Sequence, residues 1–268
     1  MDRSVIFITG AASGIGRATA KLFSARGWFV GATDVNEADL LALEQELSGD
    51  CFTAQLDVTN KPQFDDVMTR FSHVVSGRLD LLFNNAGIAK FGFLEDLPYE
   101  EIMATINVNF VGVLNGVTAA MPLLKATPNS LCFTTASSAA NFGTPGLAVY
   151  GATKSAVKHL TESLSVELAR HGSRAADVSP GIIDTPLWNA TRYVKDGAKK
   201  ARNMAEANVD RTDAARTIQP EEVAQCVWDA YTSDKLHWYV PVEIEQRNRD
   251  AAIAPERLRD EMIASSTR

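Results

Sequence analysis

The chain has 268 residues, 46% of them hydrophobic, and a formal net charge of -7, so it carries enough apolar material for a large core. That acidic balance argues against a general nucleic-acid binder, which needs a basic surface to displace counterions from phosphates. Cys51, Cys132 and Cys226 are odd in number and far apart, a pattern that suggests neither a disulfide framework nor a zinc site and fits a reducing compartment.

Met1-Asp2-Arg3 leads straight into the strand-like run Ser4 to Ile8, too short for a secretory core. With no apolar stretch read as a membrane span, the expectation is a cytoplasmic protein without membrane contact. Short apolar runs then alternate with segments of helical period, the pattern of repeated βα units. Strands are predicted near residues 4–9, 28–33, 51–56, 79–84, 130–135, 174–179 and 237–242, and helices near 15–26, 37–48, 61–76, 99–125, 150–171 and 220–232. In the first helix Ala18, Leu22 and Ala25 share a face, and in the helix over 150–171 Ala152, Ala156, Leu160 and Leu164 do so. Right-handed crossovers put helices on both faces of a seven-stranded parallel sheet, doubly wound, with ligands at the carboxyl ends of its strands.

No linker, repeat or low-complexity tract interrupts residues 1–242, which are expected to form one domain. Within it, residues 186–219 are polar and weakly periodic, too long for an ordinary connection and therefore a candidate substrate loop or lid. Lys195, Lys199, Lys200 and Arg202 in that stretch, interrupted by Asp196, read as a solvated helix face. Residues 243–268 form a polar tail, one helix followed by a frayed end. His73, His159, His171 and His237 show no metal-ligand spacing, so no metal is expected and all four read as structural or solvated.

After the first strand, Thr9-Gly10-Ala11-Ala12-Ser13-Gly14-Ile15-Gly16 opens directly into a helix. Such glycines let the backbone turn sharply and approach a pyrophosphate, whose charge is favoured by the helix start. Asp34 closes the second strand, where a carboxylate accepts both adenosine ribose hydroxyls and repels a 2′-phosphate. No Lys or Arg stands at positions 11–13, 35 or 36 to neutralise such a phosphate. The cofactor predicted is NAD. Asp57-Val58 and Asn84-Asn85-Ala86-Gly87 end the third and fourth strands at the same edge, where adenine contact and structural capping are both open for their polar groups.

Tyr150 and Lys154 are four residues apart, one helical turn along the same face. An adjacent cation stabilises a phenolate and lowers a pKa that is ordinarily near 10, bringing it within reach of acid/base work. Ser137, at the end of an apolar strand, is placed to hydrogen-bond the same substrate oxygen. It lacks the elbow motif of a hydrolase nucleophile and a histidine to activate it.

Taken together, the turn at Thr9 to Gly16, the NNAG at Asn84 to Gly87, Ser137, the YxxxK at Tyr150 to Lys154 and Pro180-Gly181 followed by Thr185 resemble the short-chain dehydrogenase/reductase family. The likeness covers about residues 4–186 and implies a Rossmann-like fold. It implies Tyr150 as acid/base, Lys154 as the residue lowering its pKa and holding the nicotinamide ribose, and Ser137 as the group stabilising the reacting carbonyl or alkoxide. Asn109 matches the family's helix asparagine that supports a water in the proton relay. Gly10, Ser13, Gly14, Ile15 and Gly16 would meet the cofactor with Asp34, Asp57 and Val58, as would Asn84, Ala86 and Gly87. Pro180, Gly181, Ile183 and Thr185 would lie along its nicotinamide end. Ala136 stands where a serine often precedes the catalytic one, which makes Ser138 a rival, but Gly143 and Pro145 align in favour of Ser137.

The function so implied is hydride transfer between NAD and a secondary alcohol or ketone, by a homodimer or homotetramer paired through the helices at 99–125 and 150–171. Two other readings share the fold: a catalytically silent NAD-binding sensor or scaffold, and a lyase or epimerase without net cofactor reduction. Leu187, Trp188, Tyr193 and Met204 either line an apolar substrate pocket or pack the lid.

Overall fold

The computed structural model describes residues 3–189, 192–194, 198–200 and 216–266. Its strands are β1 (Val5–Thr9), β2 (Phe29–Asp34), β3 (Cys51–Gln55), β4 (Leu81–Asn84), β5 (Leu131–Thr135), β6 (Arg174–Pro180), β7 (Ile182–Ile183), β8 (Arg192–Val194), β9 (Ala198–Lys200), β10 (Thr217–Ile218) and β11 (His237–Val240). Its helices are α1 (Gly14–Ala25), α2 (Glu37–Glu46), α3 (Lys61–Val74), α4 (Tyr99–Ile106), α5 (Gly112–Ala126), α6 (Ala148–Ala169), α7 (Pro220–Tyr231), α8 (Ile244–Ile253) and α9 (Pro255–Ser266).

Every residue of β1 is buried, and its side chains alternate between two faces as extended backbone requires. Val5 and Phe7 join an apolar cluster with Phe64, Phe71, Val117 and Leu164 of α3, α5 and α6. Ile6 and Ile8 join a second cluster with Ala20, Phe23, Leu43 and Val227 of α1, α2 and α7. A strand covered on both faces needs no polar alternation, hence the continuous apolar runs. The result is a Rossmann-like, seven-stranded parallel sheet in the order β11-β6-β5-β4-β1-β2-β3. The chain winds one way from β1 through β2 and the other way from β4, so a crevice opens at the carboxyl ends of β1 and β4.

Several local expectations are corrected. In α1 the buried stripe is Gly16, Thr19, Ala20 and Phe23, because the aromatic Phe23 packs edge-on to Trp28 and Trp228, and Ala25 is exposed. In α6 the buried stripe holds Thr153, Lys154, Val157, Thr161, Leu164 and Leu168, with Ala152 exposed. The helix over 99–125 contains a wider π turn at Asn107–Val111. At 28 residues, Tyr99–Ala126 is also apolar enough by length and composition to cross a membrane, contrary to the expectation. Much of that apolarity serves the core, where Val113, Val117, Ala120 and Leu124 are buried.

The tail is two helices, α8 and α9, with Ile244 and Ala251 buried. In the 186–219 region, a 3-10 turn over Pro186–Asn189 precedes an antiparallel β8–β9 pair, and β10 pairs with β7. Lys199 and Lys200 therefore stand on a strand, not a helix face; Lys195, Arg202 and Met204 lie outside the described residues.

Candidate active site

The carboxyl ends of β1 and β4 are tied together by one hydroxyl. Thr9 Oγ1 accepts hydrogen bonds from the backbone N–H groups of Asn85 and Ala86, at 3.0 and 3.1 Å. Asn85 Nδ2 returns bonds to the carbonyls of Thr9 and Gly10. Gly10 turns the chain at φ +67, and a Cβ there would stand 2.8 Å from Ala86 Cα. Only glycine fits both the conformation and the close approach. A Cβ on Gly16 would fall 2.1 Å from the Gly10 carbonyl oxygen, so Gly16 lets α1 start beneath the turn. It does not line the cavity, contrary to its expected place beside the cofactor.

Helix α1 begins with no acidic residue in its first turn and no side-chain cap from Ser13, which leaves its N-terminal N–H groups available to an anion. These amides open onto a cavity of about 660 Å³ lined by Gly10, Ser13, Gly14 and Ile15. Asp34, Asp57, Val58, Ala86 and Gly87 line the same cavity. Asp34 is aimed by two backbone donors: Ala12 N–H bonds Oδ2 and Asn36 N–H bonds Oδ1, both at 3.0 Å. Asp57 Oδ1 instead accepts from Thr59 N–H and its hydroxyl, a local turn that occupies part of its carboxylate. Arg17 reaches back to the Ala12 carbonyl at 3.0 Å, but its charge is paired with Glu46 at 2.6 Å.

Asn84 is corrected. Strand alternation turns it inward, 3% exposed and against Cys132 Sγ and Gly116, while its neighbour Asn85 faces the cavity. Period-2 geometry allows only one of two adjacent asparagines to do so.

At the other end, Ser137, Tyr150 and Lys154 line the cavity with Pro180, Gly181 and Ile183, and Thr185 lies beside them. Ser137 stands near enough to Tyr150 to favour its phenolate, and Ser137 Oγ accepts from Ala139 N–H at 3.2 Å. Lys154 is buried, its Nζ donating to the Thr135 carbonyl at 2.7 Å and standing 5.8 Å from the centre of the Tyr150 ring. Burial pushes its pKa down to about 8. The expectation of a depressed tyrosine pKa is not met: burial pushes the Tyr150 phenol up, and the opposing influence comes from Ser137. Desolvation exceeds the influence of Ser137, and the Lys154 ammonium stands 5.8 Å from the ring centre.

Asn109 does not reach the cavity. Fully buried in the π turn, its side chain accepts from Ile88 N–H and donates to the Ile88 carbonyl, both at 2.9 Å, and also donates to Thr153 Oγ1. That clamp fixes the loop after Gly87 against α6. Leu187 lines the cavity, whereas Tyr193 is buried and bonded to Glu101. The side chain of Trp188, like Met204, is outside the described residues. Ile244, Arg247 and Met262 of the tail complete the wall, which no motif signalled.

A parallel sheet with a glycine turn, an anion-receptive helix start and a Ser-Tyr-Lys group around one crevice defines a Rossmann-like dinucleotide site equipped for acid/base chemistry. The family model described as short chain dehydrogenase matches residues 4–196, and the chain belongs to that family of oxidoreductases. It is 35% identical over 230 residues to the 3-oxoacyl-[acyl-carrier-protein] reductase FabG of Thermotoga maritima, covering 85% of this chain and 89% of that protein. Among solved structures it resembles a short chain dehydrogenase/reductase from Burkholderia phymatum in complex with NAD, with TM-score 0.82, 26% identity and 95% of each chain covered. It also resembles an alcohol dehydrogenase from the archaeon Thermococcus sibiricus complexed with 5-hydroxy-NADP, with TM-score 0.72, 25% identity and 89% of this chain and 95% of that one covered.

Proposed function

We propose that the protein interconverts a secondary alcohol and a ketone with NAD as hydride carrier, Tyr150 serving as acid/base. The observation that carries this is the pair of hydroxyl side chains, Ser137 and Tyr150, on one cavity wall, with Lys154 one helical turn along from Tyr150. A substrate oxygen between those hydroxyls is oriented by Ser137 and exchanges its proton with Tyr150.

The residues fit the carrier. The α1 start would receive its pyrophosphate, Asp34 its adenosine ribose, and Lys154 its nicotinamide ribose; when bound, the carrier accepts or gives the hydride. Asp34, with Arg17 already neutralised by Glu46, favours the cofactor lacking a 2′-phosphate. Asn109 and Thr153 keep the wall beneath the reacting groups fixed.

Replacing Tyr150 with Phe is expected to lower turnover by about 10²-fold or more while NADH binding is retained. Undiminished turnover on an alcohol panel overturns the assignment. We read the assembly as a homo-oligomer using α4 to α6, where Tyr99 and Val166 are exposed at 69% and 73%; a monomeric sedimentation coefficient overturns it. The three unpaired cysteines fit a reducing, cytoplasmic setting.

A further inference from the structure

The cavity's charge is divided along its length. Both carboxylates among the described lining residues stand at the adenosine end, Asp34 closing β2 and Asp57 following β3. The end beyond Ser137 and Tyr150 has no acidic side chain among the described lining residues, but it has three cations: Lys154, Lys90 and Arg247. Lys154 belongs to the reacting group, and Lys90 is paired with Glu101 at 2.9 Å. Arg247 remains.

Arg247 comes from α8. Its guanidinium carbon lies over the Phe142 ring, 4.7 Å from the centre, and Phe142 itself lines the cavity on the loop that follows Ser137. Other cations near it find carboxylates: Arg249 bonds Glu245 at 2.7 Å, and Arg216 takes Glu243 at 3.0 Å, one helical turn before Arg247. No carboxylate among the described residues pairs with Arg247. Stacking on an aromatic face satisfies the plane of a guanidinium and leaves its edge donors free, the arrangement that receives a carboxylate through two parallel hydrogen bonds. The same cavity wall includes the apolar side chains of Ile244, Leu147, Leu187 and Met262.

We propose that Arg247, held on Phe142, is a specificity residue that binds the carboxylate of the substrate, which is therefore a hydroxy acid or oxo acid with an apolar segment between its two functional ends. The substrate class rests on the alcohol–ketone reading above; the anion subsite does not. Arg247 is exposed, and a single guanidinium with no carboxylate partner among the described residues matches a monoanion better than a phosphate dianion, which would call on further donors.

Unreactive probes test the subsite apart from turnover. Binding of benzoate and 3-phenylpropanoate, and of their primary amides, is measured by calorimetry with NAD saturating. The acids are expected to bind at least tenfold more tightly than the amides, with the preference lost in Arg247→Gln and partly kept in Arg247→Lys. Equal binding of acid and amide, or a preference that survives Arg247→Gln in a variant of unchanged melting temperature, overturns the proposal. Tighter binding of phenyl phosphate than of either acid overturns the carboxylate assignment. An intact, Arg247-dependent preference without turnover of any hydroxy acid counts against the alcohol–ketone reading and leaves the subsite standing.

Discussion

Asp177 Oδ2 and His237 Nδ1 are hydrogen-bonded at 2.7 Å across neighbouring strands β6 and β11. Asp177 is wholly buried, and among the described residues its Oδ1 has no hydrogen-bond partner. Lys158 and Glu162 of α6 and Tyr239 of β11 also face this pair electrostatically. Burial raises the Asp177 pKa above 3.8, while His237 and Lys158 act to lower it.

The sign for stability follows. A folded-state pKa above the unfolded value means the folded protein holds the proton longer, so this contribution is complete below pH 3.8 and is lost as pH rises through the folded pKa. Each tenfold difference in proton affinity is worth about 1.4 kcal/mol. Asp177→Asn, neutral throughout, is expected to show a flatter dependence of urea midpoint on pH above about pH 4. Parallel curves for the two proteins would contradict the raised pKa.

Asp34 carries the choice of cofactor through charge. Its carboxylate is fixed by Ala12 and Asn36 N–H groups, and removing it takes away both a ribose acceptor and a repulsive partner for a 2′-phosphate. Asp34→Ser is expected to lower the ratio of kcat/KM with NAD to that with NADP by at least about tenfold, a difference of about 1.4 kcal/mol. An unchanged ratio would show that selectivity resides elsewhere.

What was legible in the sequence was set by local backbone periodicity and by strand ends. Seven apolar runs gave seven sheet strands because burial on both faces leaves an unbroken signal, as in Val5 to Ile8. Ser137, Tyr150 and Lys154 were legible because a strand end and one helical turn bring them together. Side-chain direction was harder: Asn84 and Asn85 are chemically identical, and only the pleat decides which faces the cavity. On α6 Leu164 is buried and Leu160 packs against the core as the apolar stripe implies, but the polar Thr153, Lys154 and Thr161 share that core-facing side while Ala152 is exposed. Asp177 is a buried carboxylate on β6, and its partner His237 stands 60 residues away. Arg247 is equally non-local, and a charged helix in a polar tail carries no signal that it folds back on the cavity.

Lys154 gives a pH dependence of opposite origin from Asp177. Burial brings its pKa from 10.5 down to about 8, so the folded protein gives up this proton more readily than the unfolded chain. The resulting penalty is complete below pH 8 and is relieved as pH rises toward 10.5. Cofactor binding should move the other way. An ammonium that holds the nicotinamide ribose is present below pH 8 and disappears above it, and a hydrogen bond from a charged donor contributes about 1.5–3 kcal/mol. Wild-type affinity for NADH, followed by fluorescence titration, is expected to weaken as pH rises from 7 to 9. Lys154→Met should bind about tenfold or more weakly at pH 7, consistent with loss of that charged donor, and should show a flat profile over the same range. A wild-type profile that is flat while Lys154→Met is weakened would assign the lysine a role in shaping the wall through Thr135; a sloping profile in the variant would locate the titrating group elsewhere.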